Sequence, residues 1–442
     1  MFRAAGHRLA RLGRPFRLLM ASDVLMLLSL MVGHVAVPWW VAREGGARDL
    51  AFYGVAVAAA SFFAFPLLSP LGDRYDKRRL IALGLGVVLA KSVVEVGLAQ
   101  AGAYRIGWIV AMEVIGAVAM AAVWPASMSI VAELLPPEQL SEGLGLQKSA
   151  QSVGRLLGPV IGGAALTVGT APALWLHAVM LLAACVVALR IEAPPAGAAA
   201  RPATQWLADL RAGLAAKWKV PLERGWTLVS FLVMVFFTPG IGMLVPLKVQ
   251  SLGLQGVWLG ACEAGLSAGM LFGALGGSMW LAQRVGRFRA SFAALMCEGA
   301  CFVVLGFSTS PLLMVAVFVL HGACVITVNM VGHTHRMLAI PAHFRSRMTA
   351  VNLMVMQVAG ALGPGLAGAG LARFSVGQVY AAFGVGLFLA ALGYLRVPGY
   401  RGFLELPHDQ AEGHYARLHP QLFGTAGEKA TDSEAFAAKK SR

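Results

Sequence analysis

Long apolar stretches recur along almost the whole chain, and they constrain its fold more than any other feature of the sequence. A helix that crosses a bilayer needs roughly 20 apolar residues. Twelve stretches of that order are present, at 17–42, 50–71, 79–101, 105–134, 143–170, 173–191, 225–250, 256–282, 289–308, 311–338, 346–371 and 376–397. The sequence therefore predicts an all-α membrane protein with twelve transmembrane helices.

The overall composition agrees with a polytopic membrane protein. The 442-residue chain is 58% hydrophobic and only 13% charged, whereas a soluble domain has about 25% charged residues. No single soluble core would absorb so much apolar sequence. The first stretch follows several arginines, as the apolar part of a signal peptide does, but it is too long for such a peptide. We expect it to be retained as the first span.

The net charge of +15 would suggest nucleic acid in a soluble protein. Here the basic residues fall in connections between apolar spans, which is the pattern of the positive-inside rule. We therefore expect no nucleic-acid partner, and an even number of spans with a basic N-terminus predicts that both termini are cytoplasmic. Glu133, Glu138 and Glu142 lie on the predicted cytoplasmic side, but acidic residues count little in this rule.

The two halves of the chain repeat each other. Leu135-Pro136 is followed 23 residues later by Pro159 of a Gly-Pro pair, and Ile340-Pro341 is followed 23 residues later by Pro364 of another. The repeat predicts two six-helix bundles related by pseudo-twofold symmetry, with a cavity between them. The predicted parts are an N-terminal bundle, a cytoplasmic linker with an amphipathic helix, a C-terminal bundle and a polar, mobile cytoplasmic tail, at 1–191, 192–224, 225–397 and 398–442.

The sequence offers no constellation for catalysis or for a bound metal. The five cysteines all lie within apolar stretches without metal-ligand spacing, so neither a metal nor a disulfide is expected. No phosphate-binding loop of the Gly-x4-Gly-Lys-Ser/Thr type occurs, which disfavours ATP-driven transport. We expect no enzyme activity and no cofactor.

The connection between the second and third spans carries a short polar motif. It reads Ser69-Pro-Leu-Gly-Asp73-Arg-Tyr-Asp76-Lys-Arg-Arg79 and resembles the first consensus motif of the major facilitator superfamily, with Ser69 and Asp76 in place of glycines. In that family such residues latch the cytoplasmic helix ends together. The resemblance implies a cytoplasmic gate made of Asp73, Arg74, Lys77, Arg78 and Glu133. The alternative is a positive-inside anchor without a gating role.

The fifth span contains a glycine motif that is unusual for a helix. Its spacing, Gly-x8-Gly-x3-Gly-Pro-x2-Gly-Gly, resembles the antiporter signature of exporters in the same superfamily, and small residues allow close helix contact in membranes. The motif comprises Gly145, Gly154, Gly158, Pro159, Gly162 and Gly163, with Arg155 inside it. Ordinary small-residue packing is the alternative interpretation.

Ionisable residues within spans are costly and are therefore candidates for function. In the superfamily, spans 1, 4, 7 and 10 line the cavity, which directs attention to Asp23, Glu113 and His321 as proton-coupling candidates. Glu113 is the preferred one, whereas Asp23 is also a candidate gate residue and His321 a candidate packing residue. The arginine that many proton-coupled members carry in span 4 is absent. Lys91 and Glu95 are spaced i,i+4 and are expected to form a structural pair.

Aromatic, methionine and amide side chains on the cavity helices suit amphipathic or aromatic substrates. The candidates for the substrate cavity are Trp108, Met112, Phe236, Phe237 and Asn329. For any one of the aromatic residues, a lipid-facing or interfacial position is the alternative.

The resemblance covers roughly residues 16–397 and extends to the branch of siderophore exporters and macrolide efflux pumps. It implies an exporter in the bacterial inner membrane, which exchanges a small organic molecule for protons by alternating access, with the proton gradient as its energy source. We expect the partners to be the transported molecule and membrane lipids, and the protein to be a monomer. A lipid or lysophospholipid flippase and a solute importer of the same fold remain open. A membrane-embedded enzyme would need a nucleophile–base or metal set, which the sequence lacks.

Overall fold

A computed structural model describes residues 12–68, 75–192 and 203–423, and within these ranges the protein is helical without strands. We number its α-helices along the chain as α1 Gly13–Leu68, α2 Lys77–Gln100, α3 Ile106–Ser129, α4 Val131–Leu134, α5 Pro137–Val168, α6 Thr170–Leu189, α7 Ala203–Lys219, α8 Pro221–Gly242, α9 Leu244–Ser251, α10 Gly256–Phe272, α11 Ser278–Val285, α12 Arg287–Phe307, α13 Pro311–Val328, α14 Thr334–Ala339, α15 Ala342–Leu371, α16 Val376–Leu392, α17 Tyr400–Glu405, α18 His408–Ala411, α19 His414–Leu418 and α20 Pro420–Phe423. Two π-helical segments, Gly273–Gly277 and Asn329–His333, connect α10 to α11 and α13 to α14.

Ten helical segments of the described residues are long and apolar enough to cross a membrane. Helix α1 is one of them, although its 56 residues would extend about 84 Å, far beyond a hydrocarbon core of about 30 Å. The chain turns inside α1 at Gly46, whose φ of 66° and ψ of −160° are not helical. Helix α5 is as long as a span but is too polar to be among the ten. Twelve spans therefore stay a prediction.

The helix ends define two faces of the molecule. The turn at Gly46 and the loop before α3 share one face, because the Tyr104 hydroxyl donates a hydrogen bond of 2.8 Å to Asp49. We call this the distal face. The opposite, terminal face carries the start of α1, the linker helix α7 and the short helices α17–α20.

Close helix packing begins at the glycines of α5. A Cβ on Gly154 would lie 2.7 Å from Leu27 Cβ, and one on Gly162 would lie 3.2 Å from Val32 Cα. These glycines therefore seat α5 against the first half of α1. The contact holds the N-terminal bundle together, as small residues do in membranes.

The two halves of the chain meet through their distal parts. A Cβ on Gly163 of α5 would lie 2.6 Å from Gly260 Cα of α10, and one on Gly54 of α1 would lie 3.0 Å from the ring of Pro364 in α15. At the distal face, Gln250 donates a hydrogen bond of 3.0 Å to the Trp39 carbonyl. These contacts bring the halves together on the distal side.

The chain beyond α16 is not the mobile tail that its polar composition predicts, at least as far as Phe423. Tyr415 and Phe423 are each 1% exposed and stack on one another with ring centroids 6.3 Å apart. Arg287 donates 2.7 Å to the Leu406 carbonyl. Residues 400–423 therefore fold against the terminal face of the C-terminal half.

Candidate functional site

A cluster of three charges lies inside the N-terminal half. The Lys91 ammonium is 3.1 Å from a Glu95 carboxylate oxygen and 2.6 Å from one of Glu113. Lys91 and Glu95 are 6% and 0% exposed, whereas the Glu113 side chain is 17% exposed. One cation thus bridges two carboxylates, and Glu113 is the member with access to the surrounding space.

Helix geometry explains how the cluster forms. Lys91 and Glu95 are one turn apart on α2 and share a face. Gly116 of α3 lies opposite the lysine stem, where an added Cβ would stand 3.4 Å from Lys91 Cε. Glu113 is one turn before Gly116. The small residue lets the stem pass alongside α3, so that the ammonium reaches the Glu113 carboxylate.

Three further polar side chains surround Glu113. His34 and Tyr53 of α1 and His177 of α6 all lie within electrostatic range of its carboxylate. His177 is buried and hydrogen-bonded to Ser29, with 2.8 Å between Nδ1 and the Ser29 Oγ, whereas His34 is exposed. The predicted proton-coupling residue therefore occupies a polar site built from four helices, α1, α2, α3 and α6.

Asp23 has a different environment nearer the terminal face. Its two carboxylate oxygens accept hydrogen bonds of 2.8 Å from Ser127 Oγ and 2.6 Å from Gln147 Nε2. The residue is 2% exposed. These neutral partners tie the start of α1 to α3 and α5.

The predicted gate residues are partly described. Lys77 forms an ion pair with Glu133, and the side chains are 10% and 24% exposed. Arg78 is half-buried, and Asp73 and Arg74 lie outside the described residues. Asp76 caps the N-terminus of α2 by accepting 3.0 Å from the Arg79 amide, which gives a local reason for an aspartate at this motif position.

The remaining residues of the glycine motif differ in what they contact. Gly145 has open space around it, whereas Gly158 packs against Met31 of α1. A Cβ on Gly260 would lie 2.5 Å from the Pro159 carbonyl oxygen. The Arg155 side chain is exposed, and its carbonyl accepts 3.2 Å from Ser267 Oγ of α10. The motif therefore contacts both its own half and the other half.

His321 lies in an aromatic environment in the C-terminal half. It is 0% exposed, and its ring centroid is 5.5 Å from that of Phe237 and 4.9 Å from that of Phe302. Neither ring nitrogen has a hydrogen-bond partner among the described residues. The structure therefore places this proton-coupling candidate away from the Glu113 cluster.

The predicted cavity residues are dispersed. Phe237 and Asn329 line one cavity inside the C-terminal half. Phe236 instead packs edge-on against Phe383 at 5.6 Å, and Trp108 is 55% exposed beside the distal loop. Met112 is half-buried and precedes Glu113 on α3. The five residues do not form a single surface.

A second charged network was missed at the sequence level. Glu223 of α8 is fully buried and accepts 2.8 Å from Arg336 Nε, 3.3 Å from Lys217 and 2.8 Å from the Tyr415 hydroxyl. Burial, together with the charge of Arg336, lowers the pKa of Lys217 to about 8. The sequence does show an acidic residue, Glu223, close to the basic residues of the linker. Its partners, however, lie between 6 and 192 residues away along the chain, so sequence spacing did not identify the network.

Comparison of the sequence with known protein families and with curated proteins points to one superfamily. The sequence model of the Major Facilitator Superfamily matches residues 19–297. An uncharacterized MFS-type transporter of Mycobacterium tuberculosis is 28% identical over 145 residues, which are 32% of this chain and 22% of that protein. The chain therefore matches about a fifth of the length of this curated relative.

Solved structures of transporters share the fold. A mutant form of the nucleoside transporter NupG superposes with a TM-score of 0.74 at 11% identity, covering 87% of this chain and 100% of that chain. A bacterial homolog of the human lysosomal transporter Spinster, inward-facing and occupied, gives 0.67 at 17% identity over 89% and 99%. A peptide transporter, POT, gives 0.68 at 13% over 88% and 95%. At these identities the likeness concerns the fold alone.

Proposed function

Because the chain belongs to the major facilitator superfamily, we propose that it is a secondary active exporter of a small organic molecule. Export is coupled to proton entry, and the two six-helix halves alternate in opening to either side of the bacterial inner membrane. The terminal face is the cytoplasmic one in this proposal. Membership of a transporter superfamily points to transport rather than to enzyme chemistry.

The bridging of Glu95 and Glu113 by a single lysine is the observation that carries the proposal of proton coupling. With all three groups charged, two carboxylates share one ammonium. Protonation of Glu113 removes one negative charge and leaves Lys91 paired with Glu95. The site therefore holds a proton without leaving a buried charge unpartnered, which would be costly. Partial exposure gives Glu113 a route to the proton.

The packing between the halves is compatible with alternating access, because the two halves are in close contact on the distal side through tightly packed helices. Gly163 and Gly260 bring α5 and α10 together backbone to backbone on the distal side. Such packing is either formed or broken, so it suits a two-state element. In the proposed cycle, this distal-closed arrangement accepts the exported molecule from the cytoplasm. Opening of the distal contact then releases the molecule and exposes Glu113 to the protons outside.

Uptake into inverted membrane vesicles tests this proposal. A panel of siderophores, macrolides and dyes is offered with and without an imposed pH gradient, to the wild type and to Glu113→Gln. We expect gradient-dependent uptake of at least one compound by the wild type and its loss in the variant. Uptake that is indifferent to the gradient would refute antiport and favour the flippase or a facilitator. Accumulation in right-side-out vesicles instead would favour the importer.

A further inference from the structure

The C-terminal half contains an acidic, aromatic cavity, and we propose that it is a binding site for a small organic cation centred on Glu298. The cation would be an ammonium or guanidinium head group of the exported molecule. This assignment rests on the proposed export function as far as substrate class is concerned, but binding itself is measurable without transport.

The cavity lies within the membrane-spanning part of the half. It has a volume of about 140 Å³ and is lined by residues of α8, α12, α13, α14 and α15, of the π-helical segment Asn329–His333 and of the segment that follows α16. Glu298 is 11 residues into α12, or about 16 Å along the helix from its terminal end. One wall includes Asn329, whose side chain is exposed. A ligand therefore has a way in beside α13.

Glu298 is the carboxyl group in this cavity that has no partner. It is 3% exposed, and no hydrogen bond or ion pair to it occurs among the described residues. The groups in electrostatic range of it are Cys297, Cys301, Cys324 and Tyr394, and none of these is a cation at neutral pH. Intramembrane carboxylates of this kind are expensive, and a cationic ligand would offset the cost.

The one basic residue that lines the cavity is engaged elsewhere. Arg336 donates to Glu223 through Nε and one terminal nitrogen, at 2.8 and 2.6 Å, and to Asn352 through the other at 3.1 Å. Its guanidinium also lies 5.4 Å from the ring centre of Trp226. Arg336 is thus held by Glu223 and Asn352 and forms no ion pair with Glu298, so the Glu298 carboxyl group is left for a ligand.

The other lining residues select an organic cation. Trp226, Phe237, Tyr394 and Tyr400 present aromatic rings to the cavity, and aromatic faces attract ammonium and guanidinium groups by cation–π interaction. A hard metal ion would require several free oxygen ligands. The cavity offers one free carboxylate, and the Asn352 amide oxygen is already bonded to Arg336.

The size of the cavity suits a head group rather than a whole drug. Pockets for drug-sized ligands have volumes of about 300–1,000 Å³, so a cavity of about 140 Å³ suits one small alkylammonium group. The π-helical segment Asn329–His333 borders the cavity, and such segments frequently mark functional sites. The rest of a larger ligand would extend past Asn329.

Choline and its uncharged isostere 3,3-dimethylbutan-1-ol test the site on the purified full-length protein by calorimetry. We expect choline to bind and the isostere to bind at least tenfold more weakly. Glu298→Gln is expected to weaken choline binding at least tenfold. Val328→Phe, which fills the cavity from α13, is expected to abolish choline binding. Glu263→Gln, which removes an intramembrane carboxylate outside the cavity lining, is the matched control and should leave binding unchanged.

The proposal is overturned if the wild type binds no choline, if the isostere binds as well, or if both cavity variants bind normally. A Glu298→Gln protein that fails to fold leaves Val328→Phe and the isostere as independent tests. If proton-coupled export fails while choline binding persists and depends on Glu298, the proposed function is refuted and the proposed binding site stands.

Discussion

The two halves of the protein handle buried charge in opposite ways. In the N-terminal half, the mid-membrane carboxylates Glu95 and Glu113 share Lys91. In the C-terminal half, Glu298 has aromatic neighbours and no ion-pair partner among the described residues, and the paired charges lie at the terminal face around Glu223. The two halves thus carry two different sites. The N-terminal one is suited to exchanging a proton, and the C-terminal one to binding a cation.

Transport should be most sensitive to substitutions at the contact between the halves. In Gly163→Val, the Cβ atom alone would lie 2.6 Å from the Gly260 Cα atom. Backbone atoms cannot rotate away as a side chain can, so the clash would persist. We expect Gly163→Val to prevent distal closure and to abolish transport in vesicles. At Gly54 the neighbour is the Pro364 ring at 3.0 Å, so Gly54→Ala should retain part of the activity.

Gly145→Ala provides the matched control for this contact, because open space surrounds that glycine. It should transport like the wild type. Normal transport by Gly163→Val would show that the distal contact between the halves is dispensable.

Removal of Lys91 would make the N-terminal half resemble the C-terminal one. Lys91→Met leaves two buried carboxylates unpaired, and losing one partner of a buried ion pair costs about 3–5 kcal/mol. We expect a large fall in the thermal unfolding midpoint in detergent. The fall should be partly reversed by Lys91→Met combined with Glu95→Gln, since that pair of changes removes one of the orphaned charges. An unchanged midpoint would mean that the lysine does not balance these carboxylates.

Removal of an acidic residue at the terminal face should destabilise the C-terminal half more than the N-terminal half, as measured by the thermal unfolding midpoint. Glu223 is 0% exposed and forms ion pairs with both Lys217 and Arg336, so Glu223→Gln should destabilise the protein by about 3 kcal/mol. Glu133 is 24% exposed and pairs with Lys77 alone, so Glu133→Gln should cost less than about 1 kcal/mol. Equal effects of the two substitutions would remove this distinction between the halves.

A pH dependence of stability is also expected at the linker helix. The pKa of Lys217 is lowered to about 8, below its unfolded value of about 10.4. The unfolded chain therefore binds more protons between these pH values, and stability gains a contribution that rises with pH across this window. Lys217→Met should lose that rise when thermal midpoints are compared between pH 7.5 and 10. Parallel pH profiles for the two proteins would contradict it.

The sequence predicts helices and their close contacts well because both depend on local patterns. Apolar length indicated the spans, and the spacing of Gly154, Gly158 and Gly162 indicated a helix surface that another helix can approach. The i,i+4 pair of Lys91 and Glu95 was visible as well. These features follow from the period of a single helix.

The contacts between distant segments were beyond sequence reasoning. Whether Lys91 reaches Glu113 depends on the relative rotation and depth of α2 and α3, which the period of either helix does not determine. The folded segment around Tyr415 was missed for a related reason. Helices as short as α17–α20 are unstable alone and gain stability from packing, so their composition resembles that of a mobile tail.

Counterflow in proteoliposomes tests the central assignment, proton coupling through Glu113, most directly. The compound that scores in the vesicle panel is exchanged across the membrane at equal pH, and its gradient-driven accumulation is measured in parallel. We predict that Glu113→Gln retains exchange and loses accumulation driven by the pH gradient, because exchange of substrate for substrate needs no proton transfer, whereas accumulation requires a side chain at position 113 that takes up and releases a proton. Accumulation at the wild-type level by this variant would contradict the account.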